Sequence, residues 1–121
     1  MRSSFLSTSI CAAAAALSVA AAATHAAPTR TTFVTVKMTE YHFQLSVNRV
    51  RTGTVVFTVV NKGQLPHTFE IQRLRKVTPL VQPGRKAVLR VTFKKAGTYY
   101  YLCTVGAHVQ YGMAGNLRVT R

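Results

Sequence analysis

Near the end of the 121-residue chain, Cys103, His108 and Met113 follow one another with four residues in each gap, in the order thiol, imidazole, thioether. Singly, each has an ordinary use: Cys as a small buried hydrophobe, Met as core filler, His as a surface residue. Together they do something more selective, because soft sulfur beside borderline nitrogen suits few metals and points to copper. A thiolate, two imidazoles and a weakly held thioether form the donor set of copper sites that exchange single electrons, so the set needs one more His. His67, in Asn61-Lys-Gly-Gln-Leu-Pro-His67-Thr-Phe, supplies it.

These donors need a frame that holds them at one place. From Phe33 to Arg121 the chain is a series of short alternating segments broken by turn residues, and no stretch keeps a 3.6-residue apolar period. The pattern predicts an all-β domain with strands at Phe33 to Met38, Tyr41 to Ser46, Thr54 to Asn61, His67 to Leu74, Lys86 to Phe93, Thr98 to Cys103 and Asn116 to Thr120. Gly53, Lys62-Gly63, Gln82-Pro83-Gly84 and Ala96-Gly97 supply turns between them. A two-sheet sandwich of about seven to eight strands fits, with a core expected from Val56, Val59, Phe69, Ile71, Val88, Val91, Phe93, Tyr99 and Tyr101. Tyr99, Tyr101 and Cys103 alternate, so they share a face and Cys103 ends a strand whose Tyr side is interior. His42, between Tyr41 and Phe43, is expected to face solvent.

The first quarter of the chain reads differently. A short positive start at Met1 and Arg2, an Ala-rich apolar run from Phe5 to Ala23, and small residues in Thr24-His25-Ala26 give the pattern of a secretory signal peptide over residues 1–26. An uncleaved membrane anchor is the rival reading, since the run is about long enough to span a bilayer. Cleavage leaves one domain, 27–121, in which Cys103 is the lone cysteine and no internal disulfide is possible. A free thiol in an oxidising compartment is a liability unless it is buried or metal-bound. The expected location is the periplasm or cell envelope of a bacterium.

Charge narrows the partners. Without Arg2, fifteen Lys and Arg face only Glu40 and Glu70, a formal +13. Such a surface favours an acidic partner protein or an anionic membrane surface. No nucleic-acid partner is expected, because the chain is read as exported and carries no recognised nucleic-acid motif.

Asn61-x-Gly-x-x-Pro-His67, followed by Gly97-Thr-Tyr-x-Tyr-x-Cys103-Thr-x₃-His108-x₄-Met113-x-Gly115-x-Leu117, resembles the cupredoxins, the small blue copper proteins of plastocyanin and azurin type. The resemblance runs from about Phe33 to the end of the chain. It implies a Greek-key β-sandwich with one copper ion at one end, His67, Cys103 and His108 as equatorial ligands and Met113 as the long axial one. Two positions depart from the common pattern: Val105-Gly106-Ala107 replaces a Pro-Gly before the second His, and Thr68 stands where Asn or Ser is frequent. The Thr68 hydroxyl could still tie the two ligand loops together near Thr104, which makes Thr68 and Thr104 candidate supports of the site.

The function implied is one-electron transfer by a monomeric, non-enzymatic carrier. A weakly bound acidic redox partner would dock near His108, on an apolar patch drawn from Leu65, Pro66, Val105, Ala107, Val109 and Tyr111. Storage or delivery of copper by the same site is the alternative. Oxidase and nitrite-reductase chemistry needs further histidine ligands, and only His25 and His42 are left over.

Overall fold

The computed structural model of the chain describes residues 11–22 and 29–121. The expected leader falls largely outside them, as does its cleavage point after Ala26; residues 11–22 have no regular secondary structure. No helix among the described residues is long and apolar enough to cross a membrane.

Nine strands are present among the described residues: β1 (Thr31–Thr39), β2 (His42–Leu45), β3 (Arg49–Arg51), β4 (Gly53–Asn61), β5 (Glu70–Ile71), β6 (Lys76–Val77), β7 (Lys86–Phe93), β8 (Gly97–Leu102) and β9 (Ala114–Thr120). They form two sheets, ordered β2-β1-β4-β7 and β3-β9-β8-β5-β6. The chain changes sheet between β2 and β3, β3 and β4, β4 and β5, β6 and β7, and β7 and β8. β1 runs parallel to β4 and β3 parallel to β9, while the remaining pairs are antiparallel. This is the expected all-β sandwich, with strands drawn from Val-, Thr- and Tyr-rich segments whose branched and aromatic side chains suit a pleated, half-buried surface.

Alternation decides which side chains fill the space between the sheets. Val34, Val36 and Met38 of β1, Val55, Phe57 and Val59 of β4, Leu89, Val91 and Phe93 of β7, and Tyr99 and Tyr101 of β8 point inward. Two expected core members do not. Val88 is 62% exposed, because period two places it beside Arg90 on the outer face and gives Leu89 the inward position. Val56 is buried yet outward, opposite Phe33 and Arg90 across the ladder and out of phase with Val55 and Phe57.

The predicted strand from His67 to Leu74 is the other departure. Only Glu70 and Ile71 join a ladder, and Gln72–Leu74 turn into a single 3₁₀ turn. The reason lies in the segment opposite: His67 exchanges backbone bonds with Val81 at 3.1 and 2.8 Å, and the Phe69 N–H goes to the Thr78 hydroxyl at 3.0 Å. Side-chain capture of that N–H interrupts the ladder between the two. Beneath this segment, Phe69 packs against Phe43, Phe57 and Tyr101 with ring centroids 5.2–5.3 Å apart, an aromatic floor for what lies above.

Candidate metal centre

One end of the sandwich gathers the loop between β4 and β5, the turn between β1 and β2, and the long connection from β8 to β9. His67 comes from the first; Cys103, His108 and Met113 come from the last. The connection is built from successive tight turns, in which the N–H groups of His108, Gln110 and Gly112 donate to the carbonyls of Val105, Ala107 and Val109 at 3.0 Å each. Its last bend needs Gly112 at φ +96°, a conformation that a Cβ disfavours. The loop is closed across its base: Cys103 N–H donates to the Met113 carbonyl, and Met113 N–H to the His108 carbonyl, both at 3.1 Å.

Three donors converge. His67 Nδ1 and His108 Nδ1 are 3.2 Å apart, and the Cys103 Sγ lies 3.9 Å from the first and 3.6 Å from the second. All three donor atoms fall within 4.8 Å of one another. An ion at the centre of a plane triangle, with bonds of about 2.0 Å to nitrogen and 2.3 Å to sulfur, separates nitrogens by about 3.5 Å and nitrogen from sulfur by about 3.7 Å. The triangle therefore has the size and chemistry for a single copper ion held by two imidazoles and a thiolate. Met113 is fully buried in the same core cluster and is pinned through its backbone to both Cys103 and His108. Cys103 and His67 are equally sealed, whereas His108 keeps 9% of its surface exposed. Solvent meets the donor set at His108.

Backbone and side-chain bonds hold this arrangement. Thr68 N–H points at Sγ from 3.5 Å, and the Thr68 hydroxyl oxygen accepts the Thr104 N–H at 2.8 Å while lying 2.7 Å from the Thr104 hydroxyl. Asn61, wholly buried, donates through Nδ2 to the carbonyls of Leu65 and Val81 at 2.8 Å each and accepts the Gly63 N–H at 2.9 Å. It folds the loop that delivers His67.

Glu40 is the residue that sequence reasoning missed. From the β1–β2 turn its Oε1 accepts the N–H groups of Gln64 and Leu65 at 2.8 and 2.7 Å and sits 3.1 Å from His67 Nε2. The Leu65 N–H foremost, with the Gln64 N–H and His67 adding, lowers its carboxyl to about 2, so it is an anion. Burial lowers the His67 pKa, against the opposing pull of Glu40. A neutral His67 that donates its Nε2–H to the Glu40 carboxylate in a hydrogen bond leaves the Nδ1 lone pair facing Cys103 and His108. Gly63 makes room for this: a Cβ there would run into the carboxylate. The one available signal was scarcity, since only two acidic residues exist in the chain and one of them is here.

His42 is exposed on β2 and stands apart from the centre. Around His108, Tyr41 packs edge-on at 5.1 Å between centroids and in turn lies 4.8 Å from Tyr111. Tyr111 is 64% and Leu65 39% exposed, and Pro66, Val105, Ala107 and Val109 are half-buried beside them.

Comparison with known proteins bears on this geometry. The family model of the cupredoxin-like domain matches residues 9–119. A multicopper oxidase of Staphylococcus aureus is 38% identical over 52 residues, 43% of this chain and 12% of that protein. The chain spans about a tenth of the length of the curated relatives it matches. Among solved structures, reduced auracyanin from Roseiflexus castenholzii superposes with a TM-score of 0.61 at 19% identity, over 74% of this chain and 98% of that one. Auracyanin A of Chloroflexus aurantiacus gives 0.60 at 18%, over 75% and 100%. At such identities the likeness is one of fold.

Proposed function

The chain belongs to the cupredoxin-like domain family, as its Cys103-to-Leu117 pattern implies, and on that premise we propose that it is an exported type 1 copper protein that carries single electrons. His67, Cys103, His108 and Met113 are its ligands. The observation that carries the reading is the closed triangle of two imidazole nitrogens and one sulfur, sealed except at His108. The likeness in fold to auracyanins, one of them described as a blue copper protein, supports it.

Copper, when bound, supplies the one-electron Cu(I)/Cu(II) couple. The chain's own residues keep the cost of changing its charge low. Cys103 and Met113 offer soft sulfur that suits the reduced state, and the two imidazoles suit either state. Glu40, Asn61 and the Thr68–Thr104 pair fix the ligand loops before any metal arrives, so the donors need not rearrange between states. The aromatic floor around Phe69 keeps water from the buried side.

Electrons enter and leave at His108, through the patch of Tyr41, Tyr111 and Leu65, by brief contact with an acidic partner. The protein acts as a monomer in the cell envelope. It is a carrier and not an oxidase on this reading, since His25 and His42 are the only histidines beyond the pair at the site and a multicopper centre needs more.

Copper storage or delivery uses the same ligands, and redox cycling with a Cu(I) chelator present separates the two. A carrier of electrons regains its full visible absorption after each reduction and reoxidation, with no copper in the chelator. Transfer of the metal to the chelator in the first cycle would replace the electron-transfer reading with delivery.

A further inference from the structure

At the end of the sandwich opposite the metal centre, four shallow hollows adjoin one another through shared residues. Arg30, Arg49 and Arg51 line one together with Thr120. Thr120 leads into a second, lined by Arg118 and Arg121, and Arg121 joins it to a third with Lys94 and Lys95. These two lysines continue into the fourth, beside Arg73. Eight of the chain's Lys and Arg line this pole, and no Asp or Glu does. Glu40 belongs to the metal centre, and Glu70 pairs with Leu102 at the far end of β8.

The fold concentrates the charge here. Arg49 lies opposite Arg118 in the β3–β9 ladder, and the β7–β8 turn adds Lys94 and Lys95 beside them. Both side chains are exposed, and like charges side by side repel. Arg73 is held in place, its guanidinium carbon 5.5 Å from the centre of the Tyr99 ring, while the Tyr99 hydroxyl donates to the Lys95 carbonyl at 2.8 Å.

We propose that this pole docks on an anionic phospholipid bilayer, with the metal centre turned away into the aqueous space. Two observations favour that occupant over an acidic redox protein. The four hollows run together across the pole, a surface suited to many phosphate groups rather than to one peptide. Six of the eight cations are Arg, whose planar fork matches phosphate oxygens. A redox partner seated here would be badly placed, since β8 alone separates the pole from Cys103 by about 20 Å at 3.3 Å per residue.

The test uses the chain from Ala27 onward, without the expected leader, and vesicles of phosphatidylcholine, with or without phosphatidylglycerol, read by co-sedimentation. Arg51→Gln/Lys94→Gln/Arg118→Gln is compared with Lys37→Gln/Arg85→Gln/Lys86→Gln, which removes the same charge near the metal end. The expected result is binding that needs phosphatidylglycerol, disappears in high salt, and falls on the order of a hundredfold in the first triple variant. The second lies beyond the screening length of about 8 Å and should stay within about threefold of the parent. Equal losses in both variants would assign the effect to net charge and overturn the proposal, as would equal binding to neutral vesicles. Tighter binding of the pole to polyglutamate or duplex DNA than to the anionic vesicles would also overturn it and reassign the surface to an acidic macromolecule.

Discussion

The Glu40 carboxylate oxygen that stands 3.1 Å from His67 Nε2 is the same atom that accepts the Gln64 and Leu65 N–H groups. One anion thus orients a ligand ring and anchors the loop that delivers it, across 27 residues of sequence. Glu40→Gln keeps the shape but weakens all three bonds. Copper affinity should fall by about 10- to 100-fold, read by competition with a chelator. Affinity within twofold of the parent would mean that His67 is held by packing alone.

Asn61 makes three hydrogen bonds with no exposed surface, and Asn61→Ala leaves the Leu65 carbonyl and the Gly63 N–H without partners and the Val81 carbonyl with the His67 N–H alone. The metal-free protein should lose about 3 kcal/mol in urea unfolding, since each buried orphan costs about 1–3 kcal/mol. A loss under about 1 kcal/mol would show that water replaces the amide.

Thr68→Val is nearly isosteric and deletes the oxygen that receives the Thr104 N–H, while keeping its own N–H on Cys103 Sγ. The expected cost is about 1–2 kcal/mol of apo stability, with the sulfur-to-copper absorption retained and Thr68→Ser recovering most of the loss. Loss of the absorption itself in Thr68→Val would place the hydroxyl, and not the backbone, at the sulfur.

The two faces of β7 should respond differently to truncation. Val91→Ala, at 1% exposure, should cost about 2–3 kcal/mol, and Val88→Ala, at 62%, under about 0.5 kcal/mol. Comparable losses from both, in the same denaturant series, would contradict the register.

The meeting of His67, Cys103 and His108 was legible in the sequence because such chemistry needs rare residue types in a fixed order, and because Gly and Pro mark the loops that carry them. The sandwich was legible from alternation. Register was not, wherever both faces of a strand are apolar: Val55, Val56 and Phe57 run together in β4, as do Val88 and Leu89 in β7. β3 and β6, of three and two residues, are too short for alternation to mark them in the sequence, and the ladder after His67 breaks where the Thr78 side chain takes the Phe69 N–H. Glu40 belongs to no local motif; only the fold brings the β1–β2 turn against the His67 loop. The basic pole was visible in sequence as net charge, but its location follows from strand register, which pairs Arg49 with Arg118.

The central claim is that Cys103 binds one copper ion as a thiolate beside His67 and His108. Visible absorption and electron paramagnetic resonance of the protein with one equivalent of Cu(II), recorded beside Cys103→Ser, test it most directly. The account predicts an intense blue or green thiolate-to-copper band that vanishes in the variant. A colourless protein that takes up no stoichiometric copper would contradict it.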